Sequence, residues 1–316
     1  MKKLLILVLV MSLVLGLGLA ASAETYEDGS PVRIEKALTN GGKVNPAETF
    51  NFTVGAGAGV RDEAALDAPA FNPAAFTITV AEGGTAGFAD INLPEFSQVG
   101  VYTYPITETA GNTAGMVYDS ATYYLVVTVI NNPDFGEENE PEFLRVLTLT
   151  DENNVKVDDF ENTFNAGSLT IKKEVTGNYG DPDDEFTVVV TLAPAEGKVL
   201  KAAPITAPGG DKVINDDGTV TITYTVKDGS EFTIDNIPYD VAYTVEETEP
   251  GAYEVSYVNE SGEIEAATTE TTITNHRDLE IATGINLDSL PYILILAIAV
   301  GGLALLIVRK RMAVSR

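Results

Sequence analysis

Most of this chain alternates apolar and polar residues in short bursts, and no other feature restricts its fold so much. FNFTV (50–54), AFTITVA (75–81), VYTYPIT (101–107), TYYLVVTVI (122–130), FLRVLTLT (143–150), EFTVVVTLA (185–193), TVTITYTV (219–226), AYTVEE (242–247) and YEVSYV (253–258) are rich in β-branched and aromatic residues. Alternation puts every second side chain on one face of an extended strand, and these residue types suit a half-buried pleated surface. Turn signals punctuate the runs: NGG at 40–42, EGG at 82–84, DDG at 216–218 and KDG at 227–229. Short strands so spaced predict an all-β protein of the sandwich type. GDPDDEF (180–186) and INDDGTV (214–220) lack the ligand spacing of a calcium loop, and GAGAGV (55–60) lacks the Lys-Ser/Thr of a phosphate loop. All three are expected to be turns.

An internal repeat divides the strands in two. VRIEKALT (32–39) returns as LTIKKEVT (169–176), INLPEFSQVGVYTYPITET (91–109) as DNIPYDVAYTVEET (235–248), and DFENTF (159–164) as TITNHR (272–277). The order is a lysine strand, a glutamate strand and an asparagine strand, twice. The expectation is two tandem Ig-like sandwiches, at 24–165 and 166–279.

Strand parity then selects particular residues. In the first copy Val32, Ile34, Lys36 and Leu38 share a face, as do Tyr102, Tyr104, Ile106 and Glu108, and Phe160, Asn162 and Phe164. In the second, Lys173 falls with Leu169, Ile171 and Val175, Glu247 with Val241, Tyr243 and Val245, and Asn275 with Ile273; Lys172 and Glu246 point the other way. Lys and Glu are rarely buried unless paired, so the same trio on the apolar face of both copies calls for a chemical reason. Desolvation lowers a lysine pKa and raises a glutamate pKa, so a buried pair tends towards neutral amine and neutral acid. A neutral amine can attack the Asn side-chain carbonyl while the acid hydrogen-bonds that carbonyl and moves protons, releasing ammonia. The product is a Lys–Asn isopeptide bond closing a loop of about a hundred residues or more, worth roughly 4–5 kcal/mol by the chain-entropy argument used for disulfides.

The ends predict export. MKKLLILVLVMSLVLGLGLAASAET carries two lysines, an apolar run and the small-x-small Ala21-Ser22-Ala23, the form of a secretory signal peptide (1–23). Leu290 to Val308 is apolar, the length of a transmembrane helix, and Arg309, Lys310 and Arg311 predict a cytoplasmic tail within 285–316. The chain has no cysteine, so an exported domain here cannot be stapled by disulfides. One histidine (His276), no cysteine and no tryptophan leave almost nothing for a nucleophilic triad or a His/Cys metal site, and no cofactor or metal is expected. With 47 Asp and Glu against 19 Lys and Arg, and a formal net charge of −28, nucleic acid is excluded as a partner.

The pieces IEK, YPITE and DFEN of the first copy, and IKK, YTVEE and TITN of the second, resemble the backbone pilins of Gram-positive bacteria, in particular the streptococcal type with isopeptide linkage domains. The resemblance implies CNA-B-like sandwiches with one autocatalytic crosslink each: Lys36 to Asn162 assisted by Glu108, and Lys173 to Asn275 assisted by Glu247. It also implies a reason for EIATG (280–284). Sortase substrates carry a short motif ending Thr-Gly before an apolar helix and basic residues, and the enzyme cuts between the two. Ile281, Ala282, Thr283 and Gly284 occupy that place, with Ala282 where proline is usual. Lys156, the sole lysine between Lys43 and Lys172, is the candidate acceptor amine for joining subunits. The implied partners are a sortase, neighbouring subunits and peptidoglycan, and the implied product is a structural shaft subunit on the cell surface rather than an enzyme. A single-copy, wall-anchored adhesin is the alternative.

Overall fold

The computed structural model describes residues 28–41, 43–137, 140–279 and 290–314. The signal-peptide expectation at 1–23 and the motif at 280–284 lie outside them.

Among the described residues eleven strands precede residue 165: β1 (Val32–Thr39), β2 (Glu48–Val54), β3 (Ala58–Arg61), β4 (Ala64–Leu66), β5 (Ala75–Val80), β6 (Ala86–Ile91), β7 (Gly100–Thr109), β8 (Met116–Val117), β9 (Thr122–Asn131), β10 (Phe143–Thr150) and β11 (Asp159–Phe164). They form one sheet ordered β6-β1-β11-β8 and a second ordered β10-β9-β7-β2-β5, with β3 and β4 attached through β7. The inward residues of both, among them Ile34, Leu38, Phe50, Phe52, Tyr104, Ile106, Val127 and Phe160, close one core.

Nine more strands repeat the plan: β12 (Ala166–Thr176), β13 (Phe186–Pro194), β14 (Asp211–Ile214), β15 (Val220–Val226), β16 (Glu231–Pro238), β17 (Val241–Thr248), β18 (Glu254–Val258), β19 (Ser261–Glu263) and β20 (Thr268–His276). Their sheets are β16-β12-β20-β18 and β14-β15-β13-β17-β19, around a second core. All nine alternating runs quoted above are strands, and buried positions recur at every second residue in most of them, whereas β10 is half-buried along most of its length and β18 has no buried position.

In each unit the first strand lies parallel to the last. β1 runs beside β11 with Lys36 opposite Phe160 and Leu38 opposite Asn162, and β12 runs beside β20 with Lys173 opposite Ile273 and Val175 opposite Asn275. Antiparallel neighbours can be joined by a tight turn, but a parallel pair must close across a long connection. Here that connection is nearly the whole unit.

The expectation of a turn at 55–60 is half wrong. Its second part is strand β3, paired with β7 through Ala58–Thr103 and Gly59–Tyr102. Glycine is required because the rings of β7 lie flat against the backbone: a Cβ on Gly59 would stand 2.8 Å from Tyr102 Cδ1 and 2.9 Å from Leu66 Cβ. Gly59→Val is expected to cost about 1–3 kcal/mol through overpacking, measurable as a lower urea midpoint with unchanged slope.

The two units touch along several backbone and side-chain bonds. Lys43 Nζ meets Asp235 at 2.6 Å, and the Asn236 side chain both accepts from Val44 N and donates to Val44 O. Ala114 donates to Val199 O, Tyr239 to Asn165 O, and Ala114 itself is buried in the second core. The connection from β11 to β12 is the single residue Asn165, too short to act as a free linker.

The last element, α1 (Leu290–Val314), is helical where the sequence predicts a span. Its large apolar side chains, including Tyr292, Leu296, Ile298, Leu303 and Ile307, are exposed. Among the described residues no helix is long and apolar enough to cross a membrane.

Candidate functional site

Lys36 and Lys173 have side chains with no exposure, among the largest fully buried groups in the protein. Each comes from the middle of its unit's first strand, on the inward parity. Glu108 and Glu247 approach from β7 and β17 of the opposite sheet, and Asn162 and Asn275 from the parallel last strand. The structure thus brings both sequence-predicted trios together, one in each unit. The offset is the same both times, with the asparagine two residues beyond the lysine's cross-strand neighbour. Lys172 lies outside instead, paired with Glu270 at 3.1 Å, and Glu246 is exposed.

In the first site Glu108 spans the other two groups. Its Oε2 is 2.9 Å from Lys36 Nζ, and its Oε1 accepts a 2.6 Å bond from Asn162 Nδ2. In the second, Glu247 Oε2 is 3.5 Å from Lys173 Nζ and Oε1 accepts from Asn275 Nδ2 at 2.5 Å. The Lys36–Glu108 approach has an ion pair's distance but not a hydrogen bond's angle, so Lys36 Nζ and both Oε2 atoms have no hydrogen-bond partner among the described residues. Aromatic rings complete the dry walls: Lys36 Nζ is 5.1 Å from the centre of Phe50, and Lys173 Nζ 4.3 Å from that of Phe186. Burial holds both lysines below the ordinary 10.5, and the attraction of Glu108 and Glu247 only partly opposes it.

This geometry corrects one expectation. The carboxyl does not face the asparagine carbonyl; it faces the amide nitrogen. The amide NH₂ is a donor and a carboxylate oxygen an acceptor, so Nδ2 turns towards Glu and leaves Oδ1 on the far side. In the first site that far side is occupied by Asp119, whose backbone N–H donates to Asn162 Oδ1 at 2.6 Å. A backbone N–H can only donate, which fixes the amide's orientation independently. Asn275 Oδ1 is buried with no such partner among the described residues. Sequence reasoning missed Asp119, because a main-chain contact leaves no residue-type signature. The only signal is the Asp-x-x spacing of DSATY (119–123), which favours a side-chain-capped turn.

Lys156 lies apart from both trios. It sits in the β10–β11 loop, 72% exposed, with Asp158 Oδ1 3.3 Å from its Nζ. Its backbone bridges to Thr150 at the end of β10.

Residues 32–165 match the family of Spy0128-like isopeptide-containing domains, and 167–277 match a domain family of unknown function, DUF7601. A pilin of Streptococcus pyogenes serotype M1 is 27% identical over 92% of this chain and 93% of its own. The pilus tip adhesin Cpa of Streptococcus pyogenes is 30% identical, but over 38% of this chain and 18% of its own. The solved major pilin T3.2 of Streptococcus pyogenes superimposes with a TM-score of 0.54 at 21% identity, covering 78% of this chain and 97% of that one. The chain therefore has the fold of the streptococcal major pilins, and its residues 32–165 are similar to the Spy0128-like isopeptide-containing domains.

Proposed function

We propose that this chain is the shaft subunit of a surface pilus, that each of its two units is an Ig-like sandwich of the CNA-B type closed by an internal Lys–Asn bond, and that a sortase joins the subunits end to end. The observation that carries the reading is the duplicated buried trio across the parallel first and last strands. An unreacted lysine and glutamate are costly to bury, and a twofold occurrence in the same register argues for a reaction.

In the proposed reaction the Lys36 amine attacks Asn162 Cγ, forming the N–C bond. Glu108 Oε2 takes the proton lost from Nζ, and the carboxyl delivers a proton through Oε1 to Nδ2, which leaves as ammonia. Atoms balance: amine plus primary amide give secondary amide plus ammonia, with Glu108 returned to its starting state. Lys173, Glu247 and Asn275 repeat the cycle. Depressed lysine pKa values favour the neutral amine that the step needs. Nothing is turned over, so the protein is its own single substrate.

The assembly part rests on the sequence. The signal peptide at 1–23 directs export. The apolar run from Leu290 to Val308, followed by Arg309, Lys310 and Arg311, holds the precursor in the membrane. Sortase cleaves between Thr283 and Gly284 within Ile281-Ala282-Thr283-Gly284, and transfers Thr283 to Lys156 of the next subunit or to peptidoglycan. The exposure of the Lys156 amine suits an acceptor. Lys156→Ala is expected to abolish the ladder of SDS-resistant high-mass species from cells making the protein, while Thr283→Ala removes both ladder and wall attachment. The partial likeness to a tip adhesin favours one other reading, a single-copy wall-anchored adhesin. That reading predicts one wall-linked band with no ladder in the unaltered protein.

A further inference from the structure

The two sites share a trio but not its surroundings, and the difference lies in the strand beside the asparagine. In the second unit β18 pairs with β20 over five positions, from Glu254–His276 to Val258–Thr272, and Val255 lies opposite Asn275. Its backbone there belongs to the sheet ladder. In the first unit the corresponding strand, β8, pairs only through Thr163–Val117 and Phe164–Met116. The chain then leaves the sheet, and residues 118–121 cross the open edge above Asn162. A main-chain N–H released from the ladder is thereby available to a side chain, and that of Asp119 reaches Asn162 Oδ1.

The Asp119 carboxylate is held there by two bonds. Its Oδ1 accepts from Ala121 N at 2.8 Å, and its Oδ2 accepts from the Tyr123 hydroxyl at 3.0 Å. The Tyr123 ring packs edge-on against Phe160, with centroids 4.5 Å apart, and Phe160 is the cross-strand neighbour of Lys36. Burial and the Asp119 carboxylate push the Tyr123 hydroxyl up to about 12, so it remains a donor. The turn is anchored to the reacting strands themselves.

Resting on the crosslinking reaction proposed above, we infer that the Asp119 backbone N–H is the oxyanion donor of the first site, that Asp119 and Tyr123 are its positioning residues, and that the second site works without a counterpart. As Lys36 Nζ adds to Cγ, negative charge develops on Asn162 Oδ1, where an oriented N–H in a dry site stabilises it most. Asn275 Oδ1 has no donor among the described residues, and Lys173 Nζ donates instead to Glu174 O at 3.2 Å. The first bond therefore closes ahead of the second.

The test follows both bonds in one molecule. Full-length chain is pulse-labelled, purified in detergent at intervals and digested, and the Lys36–Asn162 and Lys173–Asn275 crosslinked peptides are quantified by mass spectrometry. In the unaltered protein the first should accumulate at least ~10-fold faster, given that loss of one oxyanion donor typically costs 10²–10³. Asp119→Ala and the milder Tyr123→Phe should each slow the first bond and leave the second unchanged, Asp119→Ala by about tenfold or more. Asp119→Asn keeps an oxygen to accept from Ala121 N–H and replaces the other by an NH₂ that donates to the Tyr123 hydroxyl oxygen, so the turn stays anchored without the charge and the rate should be restored. Unaltered first-bond rates in both Asp119→Ala and Tyr123→Phe, or an Asp119→Asn protein as slow as Asp119→Ala, would overturn the inference. If neither peptide forms in the unaltered chain, the crosslinking reaction itself is wrong, a different result from the first.

Discussion

Glu108→Ala is expected to yield a protein that retains one ammonia relative to the unaltered chain and melts in two steps, with the first unit shifted far down. Two costs compete for the size of that shift. Removing the carboxylate leaves Lys36 buried and unpaired, which costs about 3–5 kcal/mol for a lysine that stays charged. Burial already holds that lysine below its ordinary value, so losing the proton is less costly there and this penalty is reduced. The larger loss is the crosslink. Without it the unfolded first unit recovers the freedom of a loop of about a hundred residues or more, roughly 4–5 kcal/mol, comparable to the whole stability of a modest domain. Glu247→Ala should do the same to the second unit alone, through Lys173 and Asn275. Calorimetry beside intact mass checks both. A normal ammonia deficit in either variant would remove that glutamate from the chemistry.

The second large effect is on pH. Each bond needs a neutral lysine, and below the lysine pKa the neutral fraction falls about tenfold per pH unit. Crosslinking, followed after refolding from denaturant before any bond has formed, should therefore accelerate about tenfold per unit as pH rises towards the depressed lysine pKa, then level off below 10.5. Stability before the reaction moves in the same direction. Between the lowered folded value and 10.5 the unfolded chain binds more protons at this lysine than the folded one, so stability increases with pH across that window. Below it both states are protonated and the burial penalty is present in full. An Asn162→Ala protein, which cannot close the first bond, isolates this term. Its first unit should gain stability from neutral pH towards 10.5, and a flat profile would contradict the buried, depressed lysine.

Much of this arrangement is legible in the sequence because it rests on period-two alternation. Once Ile34 and Leu38 are assigned inward, Lys36 must follow, and the same parity separates Lys173 from Lys172 and Glu247 from Glu246. The strands that escaped notice have weak alternation or unusual composition. β3 and β6 are rich in Gly and Ala, and β14 is four residues, DKVI, with its two apolar side chains adjacent and exposed, too short to show a period. Which way the carboxyl faces was not legible either. Parity places Glu108 and Asn162 on facing surfaces, but only the donor–acceptor inventory around them turns Nδ2 towards the carboxyl and Oδ1 towards Asp119.

The most direct test is the intact mass, under denaturing conditions, of the full chain purified in detergent, compared with a Lys36→Ala, Lys173→Ala double variant after allowance for the substituted side chains. Two missing molecules of ammonia in the unaltered chain, both restored in the double variant, are the predicted result. A mass with no deficit would mean that two lysines, two glutamates and two asparagines share dry cores without reacting, and the account of this protein as a self-stapled shaft subunit would be wrong.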